Sequence, residues 1–276
     1  MFVNGKSDLK AINSLIKKYA TKNLQSFEES FLLSIIDKHA QSVGMNQIEN
    51  YLFFLSQSDK NTNELIEMLE VNYTEFFRDS LIFAQLENVI IPELVEKLNN
   101  EEIRIWSAGC STGQEAYSLA MLFEDYKSQS NEQINYRIFA TDQSEKYIRE
   151  AKLGKYIQRE IGNIKIRYLN NYFQKINNAY LINNDVKNRI TFSIFNLLNE
   201  HFVFPHESVY GQFHIIICCN VLIYYSPEAQ KEIITKLIDS LSKNGYLIVG
   251  KTEKQILSNN VQLMSINSFN SIYRKV

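Results

Sequence analysis

The chain has 276 residues, 45% of them hydrophobic, with 29 Lys and Arg against 31 Asp and Glu and a formal net charge of -2. That length suits a small domain followed by a large one, and the balanced charge excludes a global attraction to nucleic acid or anionic lipid, leaving only local patches. No apolar run approaches the ~18 residues of a membrane span, MFVNGKSDLK lacks a signal-peptide core, and Cys110, Cys218 and Cys219 lack metal-ligand spacing, so a cytoplasmic protein with reduced thiols is expected.

Residues 8 to about 70 show helical periodicity and almost no strand signal. Leu9, Ile12, Leu15 and Ile16 form one stripe, and Phe31, Leu32, Ile35 and Ile36 form another. Ser26 stands three residues before Glu29, the spacing of a capping box, and Asn61 or Thr62 is placed to open the helix NELIEMLEV. A small all-α domain over 1–70 is predicted. Its first segment sets Lys6, Lys10, Lys17, Lys18 and Lys22 against Asp8 alone, either a solvated face or a stripe for an acidic partner. An inter-domain segment and helix follow over 71–100.

From Ile103 the pattern alternates. RIWSAG, YRIFATD, RITFSIFNL, FHIIICCNV and GYLIVG read as strands; GQEAYSLAMLFEDY and SEKYIREAKL read as helices, as does PEAQKEIITKLIDSLSKNG, with Gly245 just past its C-cap. Strands apolar on both faces belong in a parallel sheet covered by helices. VQLMSINSFNSIYRKV reads as two antiparallel strands around Asn267 to Asn270, an edge hairpin. Residues 155–186 are irregular and read as a small insertion with a short hairpin. The expectation is an α/β domain over 101–276, Rossmann-like, mostly parallel, with an antiparallel edge.

In such a sheet the turn after the first strand is the usual ligand site. Gly109 and Gly113 bracket it in RIWSAGCSTGQEAYSLA, but Cys110, Ser111 and Thr112 fill the gap, so the sequence is not GxGxxG. That disfavours a pyrophosphate and suits an adenosine without phosphate. Asp142, ending the second strand, is placed either to bind both ribose hydroxyls or to cap the next helix. Glu115, in the first turn of its helix, either complements the macrodipole or meets a cationic amino group such as that of S-adenosylmethionine. The four histidines are scattered, and no metal is expected.

VNYTEFFRDS, WSAGCSTGQEAYSLA, FATDQS, FNLL, CNVLIYYSPEAQ and GYLIVGKTE, in that order over nearly the whole chain, resemble the chemotaxis receptor methyltransferases, the CheR family. The resemblance implies a class I S-adenosylmethionine-dependent methyltransferase that transfers a methyl group to glutamate side chains on the cytoplasmic helical region of chemoreceptors. It implies that Asn72, Thr74 and Arg78 line the cofactor site, with Gly109 in the turn, Glu115 at the methionine end and Asp142 at the ribose. Asn196 and Leu197 fall in the adenine region, Asn220 on the pocket floor and Tyr224 beside the methyl. Arg78 and Tyr224 are thus the catalytic candidates. The chain departs from the family at Cys219, also counted among the cofactor-site residues, where Arg is usual, and at Lys251, where His is common.

A glutamate of reference pKa about 4.3 is already ionised at neutral pH, so methyl transfer to it needs no general base. Arg78 can hold a carboxylate in two-pronged geometry or form an ordinary salt bridge, and Tyr224 is either a neighbour of the sulfonium or a core aromatic. The alternatives are another acceptor for the same methyl donor and a non-catalytic S-adenosylmethionine sensor. The pI near 6.1 argues against RNA, no membrane insertion is expected, and monomer is the default.

Overall fold

The computed structural model describes residues 6–19, 24–70, 73–130, 133–258, 260–266 and 271–276, with backbone alone at 6, 7, 18 and 19. The chain divides into two units, residues 1–71 with 223–232 and residues 72–222 with 233–276.

The first unit holds helices α1 (Lys6–Tyr19), α2 (Glu29–Ser42), α3 (Ile48–Gln57) and α4 (Asp59–Met68). The expected stripes point inward: Ile12, Ile16, Leu32, Ile35 and Ile36 are buried, with Tyr51, Leu55 and Leu65. Helix α2 is capped by Glu28, which accepts from the Phe31 N–H at 2.9 Å, and not by Ser26. The reason is tertiary. Ser226 N–H donates to Ser26 O at 2.9 Å and Phe27 stacks on Tyr225 at 5.5 Å, holding that stretch against residues 225–226 and leaving Glu28 to fold back. Helix α4 likewise starts earlier than expected, capped by Ser58, because Asn61 and Thr62 turn their side chains to Phe54 O (2.7 Å) and Leu55 O (3.0 Å). Of the five lysines, Lys10 and Lys17 are exposed; Lys22 and the side chains of Lys6 and Lys18 lie outside the described residues.

The second unit opens with α5 (Ser80–Gln85), a π turn (Leu86–Ile90) and α6 (Ile91–Leu98). Strands β1 (Ile103–Ala108) and β2 (Tyr136–Asp142) follow, separated by α7 (Gln114–Ser130), and α8 (Glu145–Leu153) leads to the insertion. There β3 (Lys155–Ile157), β4 (Phe173–Ile176) and β5 (Ala179–Ile182) form an antiparallel sheet of order β3-β5-β4, accompanied by α9 (Ile166–Tyr172). Then come α10 (Asn184–Lys187), β6 (Ile190–Ile194), β7 (Phe213–Cys218), α11 (Pro227–Ser240), whose C-terminal part lies in this unit, β8 (Leu241–Val249), β9 (Leu263–Ser265) and β10 (Ile272–Lys275).

The main sheet has the order β6-β2-β1-β7-β8-β10-β9, parallel from β6 to β8, with β10 antiparallel to β8 and β9 antiparallel to β10. The expected turn at 267–270 lies outside the described residues. Every residue of β1 is buried, as a central parallel strand requires. Its Trp106 is 0% exposed and donates its indole N–H to Thr141 Oγ1 at 2.9 Å, satisfying the one polar atom of a large core side chain. The chain leaves β1 for β2 on one side and returns to β7 on the other, so the switch in strand order lies at the carboxyl end of β1.

One boundary is corrected. Helix α11 ends at Ser240, and Leu241 already pairs with Phe213 before the ladder resumes at Tyr246 beside Ile215. Gly245 therefore sits inside the strand irregularity, where a Cβ would lie 2.9 Å from Phe213 O, and the left-handed residue is Asn244 at φ 60°. Among the described residues no helix is long and apolar enough to cross a membrane.

Candidate functional site

The β1–α7 turn needs three left-handed residues, Gly109 (φ 85°), Ser111 (φ 48°) and Gly113 (φ 96°). The Gly109 and Cys110 N–H groups both donate to Thr141 O at 2.8 Å, tying the turn to the end of β2. A Cβ on Gly109 would lie 2.5 Å from Val221 Cγ2, so a side chain there would push the post-β7 loop away. Asp142 takes a backbone donor on each oxygen, Ser111 N–H and Ser144 N–H, both at 2.9 Å. The cap of α8 is Ser144, which accepts from Tyr147 N–H, so the capping role considered for Asp142 is filled by another residue.

Glu115 is partly buried and accepts from Ser107 Oγ at 2.6 Å. Burial pushes its carboxyl up to about 7; the Ser107 hydrogen bond pulls down, the Glu253 charge pushes up and the Arg78 charge pulls down. A cation beside it recovers what burial removes. Arg78 is exposed, donates from Nη1 to Tyr73 O at 3.0 Å and lies 4.7 Å from the Tyr73 ring centre. Phe77, just before it, has φ 52°, a conformation that costs a bulky residue roughly 1–3 kcal/mol. Cys219 is partly buried, and its thiol is pushed well up by burial and by the nearby Glu115 and Glu253 carboxylates, so it stays protonated at neutral pH.

The loop after β7 is shaped by a residue quoted only as part of a motif. Glu253 is 0% exposed and accepts from Gly250 N–H (2.6 Å), Asn220 N–H (2.9 Å) and Leu222 N–H (2.7 Å). Asn220 is thereby held at φ 59°, and a Cβ on Gly250 would lie 2.8 Å from Glu253 Oε2. The signal in the sequence was a glutamate three residues beyond a glycine that ends an apolar strand. A second residue carried no such signal. Lys236 on α11, 9% exposed, donates to Leu197 O at 2.7 Å and Asn199 O at 2.6 Å, clamping the loop after β6; in the sequence it is one more charge on an amphipathic helix.

Of the remaining expected residues, Thr74 is partly buried, Leu197 is buried, and Asn196 is exposed with its Oδ1 accepting from Leu198 N–H at 2.9 Å. Asn72 lies outside the described residues. Tyr224 belongs to the first unit, where its ring lies 5.0 Å from Phe31 and its carbonyl accepts from Glu28 N–H at 2.9 Å.

These groups fit S-adenosylmethionine. The turn at Gly109 admits close approach, Asp142 stands where ribose hydroxyls are expected, and Glu115 is a partly buried carboxylate suited to an ammonium. The comparisons agree. The family model described as CheR methyltransferase, SAM binding domain matches residues 72–270. The chain is 32% identical to the chemotaxis protein methyltransferase of Borreliella burgdorferi over 90% of this chain and 88% of that protein. It is 27% identical to chemotaxis protein methyltransferase 1 of Pseudomonas aeruginosa over 90% of each. To the chemotaxis protein methyltransferase of Escherichia coli it is also 27% identical, over 88% of this chain and 82% of that one. With the family model covering most of the chain and a chemotaxis protein methyltransferase 32% identical over most of both chains, the protein belongs to the CheR family and is an S-adenosylmethionine-dependent methyltransferase.

Proposed function

We propose that the chain forms methyl esters on glutamate side chains of the cytoplasmic helical region of chemoreceptors. The observation that carries the reading is the family match over residues 72–270, which spans the glycine turn and the carboxylates Glu115 and Asp142 beside it. S-adenosylmethionine supplies a methyl group on a sulfonium, and its transfer to an ionised carboxylate leaves S-adenosylhomocysteine and a methyl ester.

The chain's own residues then have defined tasks. Asp142 binds the ribose, Glu115 the ammonium, and Asn196 and Leu197 flank the adenine, with Asn72 and Thr74 also lining the cofactor site. Arg78 lines the cofactor site and orients the incoming carboxylate in two-pronged geometry, and Tyr224 stands beside the methyl. Charge is neutralised as the reaction proceeds, so water opposes it, and alignment with exclusion of water is what the protein contributes. Residues 101–276, with the insertion near 155–186, serve as the methyltransferase domain. Residues 1–70 present Lys10 and Lys17, both exposed, to the acidic surface of the acceptor helices.

The test is transfer of labelled methyl to membranes carrying the organism's own chemoreceptors, scored as volatile label released by mild alkali. Alkali-labile label that is lost in Arg78→Ala is expected. Label stable to alkali, or none from protein that binds S-adenosylhomocysteine, would reject glutamate as the acceptor.

A further inference from the structure

Arg78 is exposed, with one side-chain hydrogen bond described above, so its direction depends on the backbone that carries it. That backbone is unusual at the preceding residue. Phe77 has φ 52°, a region bulky side chains rarely adopt, and release to an ordinary well would rotate the next peptide and re-aim the guanidinium.

Contacts from α5, α7 and α9 hold Phe77. Its N–H donates to Ser118 Oγ at 3.0 Å, and Ser118, fully buried on α7, donates in turn to Gln114 O at 2.7 Å. Its ring lies flat on Tyr168 of α9, with centroids 5.1 Å apart and planes 11° from parallel, and meets Phe83 of α5 edge-on at 5.1 Å. Tyr168 is itself fixed. It is 0% exposed, its hydroxyl accepts from Arg167 Nη2 at 3.1 Å, and the Arg167 guanidinium lies 4.9 Å from its ring centre. Arg167 also pairs with Glu87 (2.8 Å) and Asp125 (2.7 Å), but it is 45% exposed, so these pairs contribute little and the ring stack is the main restraint.

We infer that Tyr168 and Ser118 are positioning residues for Arg78, acting by holding Phe77 in its left-handed conformation, and that helix α9 of the insertion therefore helps to build the cofactor site. This rests on the reading of Arg78 as a ligand of the cofactor. Nothing in the family match assigns the insertion such a role at this site.

Calorimetric titration with S-adenosylhomocysteine tests it, using the full chain and no acceptor. Tyr168→Leu and Ser118→Ala are each expected to weaken binding by roughly tenfold, the scale of a modest misalignment. Tyr168→Phe, which keeps the stack, restores wild-type affinity. The readout that a merely structural role would not move is the double variant: in an Arg78→Ala background, neither substitution weakens binding further. Ser118→Ala leaves no large cavity and carries the test should Tyr168→Leu fail to fold. Additive losses, or wild-type affinity in both single variants while Arg78→Ala binds weakly, overturn the inference alone. Wild-type affinity in Arg78→Ala overturns the reading of Arg78 beneath it.

Discussion

Two glutamates in the same unit have opposite circumstances. Glu253 is wholly buried and its carboxylate accepts three backbone N–H groups, from Gly250, Asn220 and Leu222. Glu115 is only partly buried, and among the described residues its one hydrogen-bond donor is Ser107 Oγ. A carboxylate that accepts three backbone amides is part of the scaffold, because it ties the loop after β7 to the end of β8. One with a single hydroxyl and a pKa pushed up to about 7 has room for a cation. The lesson is that accessibility alone misranks them: the more deeply buried charge is the better solvated one.

The largest effect is expected at Glu253. Glu253→Ala removes the buried carboxylate to which Gly250, Asn220 and Leu222 donate, and at about 1–3 kcal/mol for each buried hydrogen bond lost the unit loses about 3 kcal/mol or more, read by urea denaturation. A variant with unchanged stability that no longer binds S-adenosylhomocysteine would break the comparison, making Glu253 a ligand residue. Glu115→Gln is the converse case. The amide oxygen still accepts from Ser107, so stability holds or rises, while loss of a charge-assisted contact weakens S-adenosylhomocysteine binding by about tenfold to a hundredfold.

The pH dependence separates the two further. An acid whose folded-state pKa stands above its unfolded value binds extra protons when folded. Glu115 therefore contributes stability that is full below about 4.5 and is lost as pH rises through about 7. On the proposed role of Glu115 ligand binding runs the other way, because an ammonium needs the ionised form: affinity should rise between pH 6 and pH 8 by at most about tenfold per unit, with proton release on binding near pH 7. Glu115→Gln should flatten both profiles, and a slope that persists in that variant would move the titrating group elsewhere. The smallest effect is at Lys236. Lys236→Met frees the loop carbonyls of Leu197 and Asn199, and a several-fold rise in the dissociation constant for S-adenosylhomocysteine is expected by calorimetry.

The parallel core was legible because its signals are local. Tyr136–Asp142 reads as a strand from its apolar run, and Gly109 and Gly113 announce a turn that needs left-handed backbone, which the structure supplies at φ 85° and 96°. Boundaries were less legible where a distant group intervened. Ser26 has the spacing of a cap, but Ser226 and Tyr225 engage that stretch and Glu28 caps in its place. Gly245 resembles a helix stop, whereas pairing of Leu241 with Phe213 ends the helix five residues earlier.

By itself, then, the sequence determined a doubly wound sheet after a helical segment, the left-handed glycine turn after its first strand, and the two carboxylates Glu115 and Asp142 beside that turn. These follow from periodicity and from the conformations that glycine alone adopts freely. Only the tertiary structure decided that Glu253 is scaffold, that Lys236 clamps the loop after β6, and that Tyr168 stacks on Phe77 ahead of Arg78. Each of those roles depends on which backbone amide, carbonyl or ring from a remote segment is brought within reach, and no spacing along the chain encodes that.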